Sequence, residues 1–224
     1  MTDAIAPLVL FDLDGTLLDS ARDLHAAMNR LLAQEQQAAI DFAEFRPVVS
    51  KGARAMLKVS FVQHDEAERE ALLPEFLALY AESLAEHSRL FEGVDSVLAH
   101  IEEGGSRWGI VTNKPYYLAE PLVAKLGWNE RCAILLGGDS LPRKKPDPDQ
   151  LLHASAVLSM PPAQVVYVGD DERDIQAANA AGMRSIAALW GYRPQDDDPD
   201  LWQADAYAET PLQLITQQLL HAGS

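Results

Sequence analysis

Five short runs of consecutive apolar residues punctuate the chain, at 8–11, 109–111, 133–136, 165–168 and 186–189. None alternates with polar residues, which is the pattern of parallel strands covered by helices on both faces rather than of strands with one wet face. Between most of them the spacing turns helical, over 94–103, about 116–126, 149–158 and 172–181, and Gly104, Gly127 and Gly182 stand where those helices stop. Alternation of this kind predicts an α/β fold, a doubly wound parallel-sheet (Rossmann-like) core.

The first connection is too long for that scheme. Asp12 and Thr112, at the ends of the first two runs, stand 100 residues apart, whereas a βαβ unit needs only about 30 or somewhat more. The excess carries helical signals of its own. Ser20 with Asp23 resembles a capping box, and Leu24, Met28, Leu31 and Leu32 mark one helix face after it. Farther on, Leu72, Leu73, Phe76, Leu77, Tyr80 and Leu84 recur at helical spacing, with Pro74 tolerable only near a helix start or at a kink. The expectation is an inserted helical cap over 18–88, with the α/β core formed from 1–17 and 89–224. The proline-broken acidic stretch 196–200 reads as a solvated loop.

Composition narrows the classes. Hydrophobic residues make up 48% of the 224, enough for a substantial core and against disorder throughout. Eighteen basic against 34 acidic side chains give a formal charge of -16, which disfavours nucleic acid and anionic membrane surfaces as partners. The same charge repels a phosphorylated metabolite, so a phosphate site here must carry its own cation or backbone donors. Cys132 is the single cysteine, which excludes an internal disulfide and a thiolate zinc cage. Without a signal-like or membrane-length apolar stretch, the chain reads as cytoplasmic.

The chemistry-bearing residues gather at the ends of the apolar runs. FDLDGT places Asp12 and Asp14 at the carboxyl edge of the first strand, where open α/β sheets build ligand sites, and residues i and i+2 share a side. Two such acids repel unless a proton or a hard divalent cation intervenes. Gly15 permits the turn away from the strand. An isolated Asp-x-Asp also reads as a pair of turn residues. The second strand ends in Thr112 and Asn113, with Pro115 suited to a first helical position; a hydroxyl and free N–H groups there suit a phosphate oxygen, and equally a turn. RKKPDPDQ supplies Lys144 and Lys145 in an acidic protein, with Asp147 and Pro148 as cap and first helical residue; a surface basic pair is the plain alternative. VVYVGDDERD closes a third buried strand with Asp170 as a natural metal ligand, while Asp174, one turn on, is placed to orient a lysine or a water. Asp171 also serves as a favourable charge at a helix start. In the insertion, Lys51 and Arg54 in SKGARAML suit a substrate carboxylate or simply a solvated helix face. The six histidines show no paired metal spacing, and the Gly-Gly pairs lack a P-loop's lysine.

The order DxDGT, a strand-end Thr, Lys-Pro and GDxxxD resembles the haloacid dehalogenase-like superfamily through the whole core. That resemblance implies a phosphatase with Asp12 as nucleophile and Asp14 as general acid and base. It implies Thr112 and Lys145 as phosphate ligands, with Mg2+ held by Asp12, Asp170 and the backbone carbonyl of Asp14. The insertion and TNKP resemble the phosphoglycolate phosphatase branch. GARAML, HSRLFEGV, VTNKPYYLAEPLV and the segment 190–214 look like the N-acetylmuramic acid 6-phosphate phosphatases of peptidoglycan recycling, many of which are labelled phosphoglycolate phosphatases. The implied substrate is therefore a small phosphorylated metabolite, N-acetylmuramate 6-phosphate, with 2-phosphoglycolate as the alternative. A phosphosugar mutase on the same scaffold and a noncatalytic phospho-ligand-binding regulator are the rival readings; the complete set of acids and lysine argues against the second, because binding alone needs no nucleophile.

Overall fold

A computed structural model of the chain describes residues 4–221. The chain begins with β1 (Leu8–Phe11) and β2 (Leu18–Asp19), then forms α1 (Ala21–Gln34), α2 (Phe42–Phe45), α3 (Ala53–Ser60) and α4 (Glu66–Glu82). It returns through β3 (Arg89–Leu90) to α5 (Val94–Glu103), β4 (Arg107–Val111), α6 (Tyr116–Lys125), β5 (Cys132–Leu136) and α7 (Asp149–Val157). The remainder is β6 (Val165–Gly169), α8 (Glu172–Ala181), β7 (Arg184–Ala188), β8 (Ala206–Ala208) and α9 (Gln213–Thr216).

Six strands form one parallel sheet in the order β5-β4-β1-β6-β7-β8. All five apolar runs lie in it. Side-chain alternation along β1 explains why the run is apolar throughout: Leu8 and Leu10 join the core beneath α7 and α8, while Val9 and Phe11 join the core beneath α5 and α6. The sixth strand, β8, escapes sequence reading because three edge residues, two half-buried and Ala208 buried, are too few to show a period. Strands β4 and β7 each begin two residues before their apolar runs, at Arg107 and Arg184, since edge-on backbone pairing does not require an apolar side chain.

The long first connection holds α1 to α4, bracketed by the antiparallel pair β2 and β3, in which Leu18 faces Leu90. Its apolar positions, among them Leu24, Met28, Leu31, Phe45, Phe76 and Tyr80, run into the core on the β1 face without a break. Helix α4 starts at Asp65 with a capping box to Glu68 and continues through Pro74, well inside the helix rather than at its start.

Several local readings change. Ser20 precedes α1 but makes no capping bond; its hydroxyl donates to Asp14 instead. Asp23 is buried and accepts from His87 N (2.8 Å), Ser88 N (2.9 Å) and the Ser88 hydroxyl, so this pair ties the start and end of the insertion together rather than capping a helix. Pro115 and Pro148 each stand one place before their helices, at the N-caps, and Asp147 accepts from Asp149 N at 3.1 Å. The stretch 196–200 is not merely solvated: Asp197 accepts from Trp202 Nε1 at 2.8 Å and lies 2.6 Å from Lys51 Nζ. Cys132 sits half-buried in β5 with its thiol pushed up to about 11 by burial. No helix among the described residues is long and apolar enough to cross a membrane.

Because Asp23 is the acceptor for three donors under cover, its removal strands them all. Asp23→Ala is expected to cost about 3 kcal/mol or more of folding stability, measured by urea unfolding with an unchanged slope, whereas Ser20→Ala, which removes one partner of Asp14, should cost clearly less.

Candidate active site

The strand order reverses beside β1, and the crevice beyond the carboxyl ends of β4, β1 and β6 is where such a sheet binds ligands. Register brings the residues level. Phe11 lies opposite Ile110 on one side and Val168 on the other, so Asp12, Thr112 and Asp170 leave three adjacent strands at nearly one height. Asp12 N donates to Val168 O at 2.9 Å, which extends the pairing to the last residue before the turn. Gly15, at φ 89°, makes that turn against Asp170, where a Cβ would come within 2.1 Å of the carboxylate oxygen.

Asp12, Asp170 and Asp174 offer carboxylate oxygens that all lie within 4.8 Å of one another, and all three residues are buried. Lys145 reaches into the group, with Nζ 2.9 Å from Asp12 Oδ1 and 2.7 Å from Asp174 Oδ1. Burial works hardest against its charge, but Asp12 and Asp174 outweigh it and raise the lysine above its ordinary value. The ammonium also donates to Tyr167 Oη at 2.7 Å. Asp170 is pushed well above the usual carboxylate range, by burial first and by Asp12 and Asp174 next. It accepts from Thr16 Oγ1 (3.0 Å), Ser50 Oγ (2.6 Å) and Tyr192 N (2.9 Å). Asp12 Oδ1 is buried and lacks a properly directed hydrogen bond even with Lys145 near. Three carboxylates against one ammonium, with an oxygen left over, fit a hard divalent cation.

The Asp14 carboxylate points away from the acidic cluster, which leaves its backbone carbonyl as the atom expected to face the metal. The carboxylate accepts from Lys114 Nζ at 2.9 and 3.1 Å and from the Ser20 hydroxyl, and the third carboxylate beside those of Asp12 and Asp170 is that of Asp174. Lys114 is buried and also donates to Tyr80 Oη at 2.9 Å, on α4. Burial opposes its charge most, yet Asp14 and Tyr80 together raise it. Tyr80 itself is pushed up to about 12 by burial, so it remains a phenol. Neither residue was singled out in the sequence as functional: Lys114 passed as part of TNKP and Tyr80 as one more apolar helix position.

Thr112 is buried with its hydroxyl accepting from Lys114 N at 3.2 Å, and Asn113 Nδ2 donates to Lys145 O at 2.9 Å, fixing the lysine's backbone to the β4 loop. Asp171 caps α8 in a capping box with Asp174. It is held below its ordinary value by Arg173 and Lys51 although burial pulls the other way. Lys51 lies 3.0 Å from Asp171 and 2.6 Å from Asp197, and Arg54 is bidentate on Glu70. Both cations line the crevice, and each is paired with a carboxylate of the chain itself. Ser50, which the sequence reading passed over, closes the site from the insertion side, and Arg173 donates to the carbonyls of Ser50 and Lys51.

Residues 9–188 match the family model described as haloacid dehalogenase-like hydrolase. The chain belongs to that family. It is 56% identical over 206 residues to a phosphoglycolate phosphatase of Xanthomonas campestris pv. campestris, covering 92% of this chain and 93% of that one. It is 46% identical over 207 residues to an N-acetylmuramic acid 6-phosphate phosphatase of Pseudomonas putida, again at 92% and 93% coverage. The crystal structure of a predicted phosphoglycolate phosphatase from Haemophilus somnus 129pt superimposes with a TM-score of 0.85 at 26% identity, over 97% of this chain and 99% of the other. This haloacid dehalogenase-like hydrolase is accordingly a phosphatase acting on a phosphate monoester.

The raised Asp170 gives a test of the cation site independent of turnover. An acid whose folded value exceeds its unfolded value loses stability as pH rises through the window between them, and a bound divalent cation offsets that loss. Added divalent cation should therefore raise Tm by several degrees at pH 8 and by much less at pH 5. Asp170→Asn should abolish the increase while leaving the cation-free protein at least as stable at pH 8.

Proposed function

We propose that this hydrolase is a magnesium-dependent phosphatase that acts through a phosphorylated Asp12, with N-acetylmuramate 6-phosphate as its substrate. The observation that carries the substrate is the crevice itself. Its cavity of about 340 Å³ is lined by Asp12, Asp14, Thr112 and Lys114 and also by the apolar side chains of Leu24, Met56, Leu73, Phe76 and Leu77. A two-carbon acid would fill little of that space and touch little of the apolar wall; a sugar ring with acetamido and lactyl arms uses both. In this reading α1 to α4, with the bounds 18–88, act as a cap over a core of 1–17 and 89–224.

The Asp12 carboxylate attacks phosphorus, the bond to the sugar oxygen breaks, and Asp14 supplies the proton that the leaving alkoxide takes up. Asp14, now ionised, receives the proton of the water that cleaves the acyl phosphate, releasing inorganic phosphate and restoring Asp12. Lys114 neutralises Asp14 in that second half, and Ser20 aims it. Lys145 and Thr112 bind the phosphoryl oxygens, with Asn113 keeping Lys145 in position. Asp12, Asp170 and the Asp14 carbonyl, with Asp174 alongside, would hold Mg2+, which would supply charge stabilisation to the phosphoryl group. Asp171 acts at one remove, by capping α8 and holding Lys51. The cap keeps bulk water from the acyl phosphate, and its tether through Ser50 and Lys51 supports this role.

The second reading, 2-phosphoglycolate, is favoured by the name carried by the 56% identical relative. Kinetics on both esters with Mg2+ decide between them: kcat/KM should be higher for N-acetylmuramate 6-phosphate, and the opposite order overturns the substrate while leaving the mechanism. Asp12→Asn should lower kcat by more than about 10³-fold with the fold intact. Stoichiometric release of free phosphate separates this reading from a mutase, which would return phosphate to sugar.

A further inference from the structure

The cavity wall carries one cation that forms no ion pair among the described residues. Lys144 lines it at the rim, on the loop just before Lys145. Every other cation on the wall is already matched: Lys51 by Asp171 and Asp197, Lys114 by Asp14, Arg54 by Glu70 and Arg173 by Asp171. Among the described residues Lys144 makes no ion pair, in a chain with 34 acidic side chains available to make one. The charges that act on it most are instead the guanidiniums of Arg54, from α3, and Arg173, from α8; Asp139 counters them more weakly. Burial first, then those two guanidiniums, lower its pKa. Three positive groups from the cap helices, the core helix and a core loop thus converge at one rim of an otherwise acidic protein. Holding like charges together costs free energy unless an anion arrives between them.

We infer that Lys144 recognises a carboxylate on the substrate and so sets the preference for acidic phosphomonoesters. The inference rests on the proposed phosphatase reading and deepens it. A carboxylate fits better than a second phosphate because a single charge is unmatched: Arg54 is paired with Glu70 and Arg173 with Asp171, which leaves one ammonium to balance one negative charge. The contact would also join core to cap, since Lys144 belongs to one and Arg54 to the other.

The test compares esters with and without the carboxylate. N-Acetylmuramate 6-phosphate is set against N-acetylglucosamine 6-phosphate, and phosphoglycolate against ethyl phosphate, each with the Mg2+-loaded enzyme. Wild-type enzyme should favour the acidic member of at least one pair. Lys144→Met should reduce that preference, as the ratio of kcat/KM values, about tenfold and chiefly through KM. Lys144→Arg should restore most of it, and Lys144→Glu should reduce it further. An unchanged ratio in Lys144→Met overturns the inference. So does an equal loss on both members that arginine fails to rescue, which marks a structural role, or a sugar bisphosphate that outruns the acids and depends on Lys144. If phosphoglycolate proves the better substrate, the amino-sugar assignment fails, and the second pair alone still decides the role of Lys144.

Discussion

Mutual repulsion among carboxylates at the end of one sheet is the constraint on which this molecule turns. Asp12, Asp170 and Asp174 are buried within contact of one another, and a single ammonium, Lys145, stands among them. Such a cluster is unstable alone, and much of the surrounding structure serves to hold it: Thr16, Ser50 and the Tyr192 amide each donate to Asp170, and Asn113 fixes the backbone of Lys145. Glycine at 15 and 191 leaves Asp170 its space, since a Cβ at either would meet its carboxylate at 2.1 or 2.3 Å. The excess negative charge is also what fits the site to a hard divalent cation.

The same need for charge balance links the inserted helices to the sheet. Lys51 is held by Asp171 and Asp197, Arg173 grips the backbone of Ser50 and Lys51, and Lys114 lies between Asp14 and the Tyr80 phenol. Each link joins a group beside the proposed chemistry to a residue of the insertion. Movement of α4 would disturb Lys114 and thereby Asp14. The inserted helices are thereby coupled to the electrostatics of the proposed general acid.

The readings that changed share a cause. Ser20, Asp23, Lys51 and Asp197 all have plausible local roles, as caps, surface cations or loop residues, and local spacing is what a sequence exposes. In the folded chain each finds a distant partner of opposite character: Ser20 takes Asp14, Asp23 takes Ser88, and Lys51 takes Asp197, 146 residues away. Buried or half-buried charge seeks the strongest available partner, and that partner need not be near in sequence. Tyr80 shows the converse, since its helical spacing correctly placed it in the core but said nothing of the hydroxyl at its tip.

The sequence by itself determined the α/β sheet, the helices around it and the positions of the acidic strand ends. It did so because parallel strands buried on both faces must be apolar along their length, and because a strand end is marked by the first polar residue after such a run. It also determined that 100 residues between Asp12 and Thr112 had to hold an inserted unit. Only the tertiary structure decided that the Asp174 carboxylate stands with those of Asp12 and Asp170, that Lys114 holds the Asp14 carboxylate, and that Lys144 makes no ion pair among the described residues. These are outcomes of competition among many charges at short range. Their Coulomb energies depend on distances of a few ångströms between segments that meet only when the sheet has assembled.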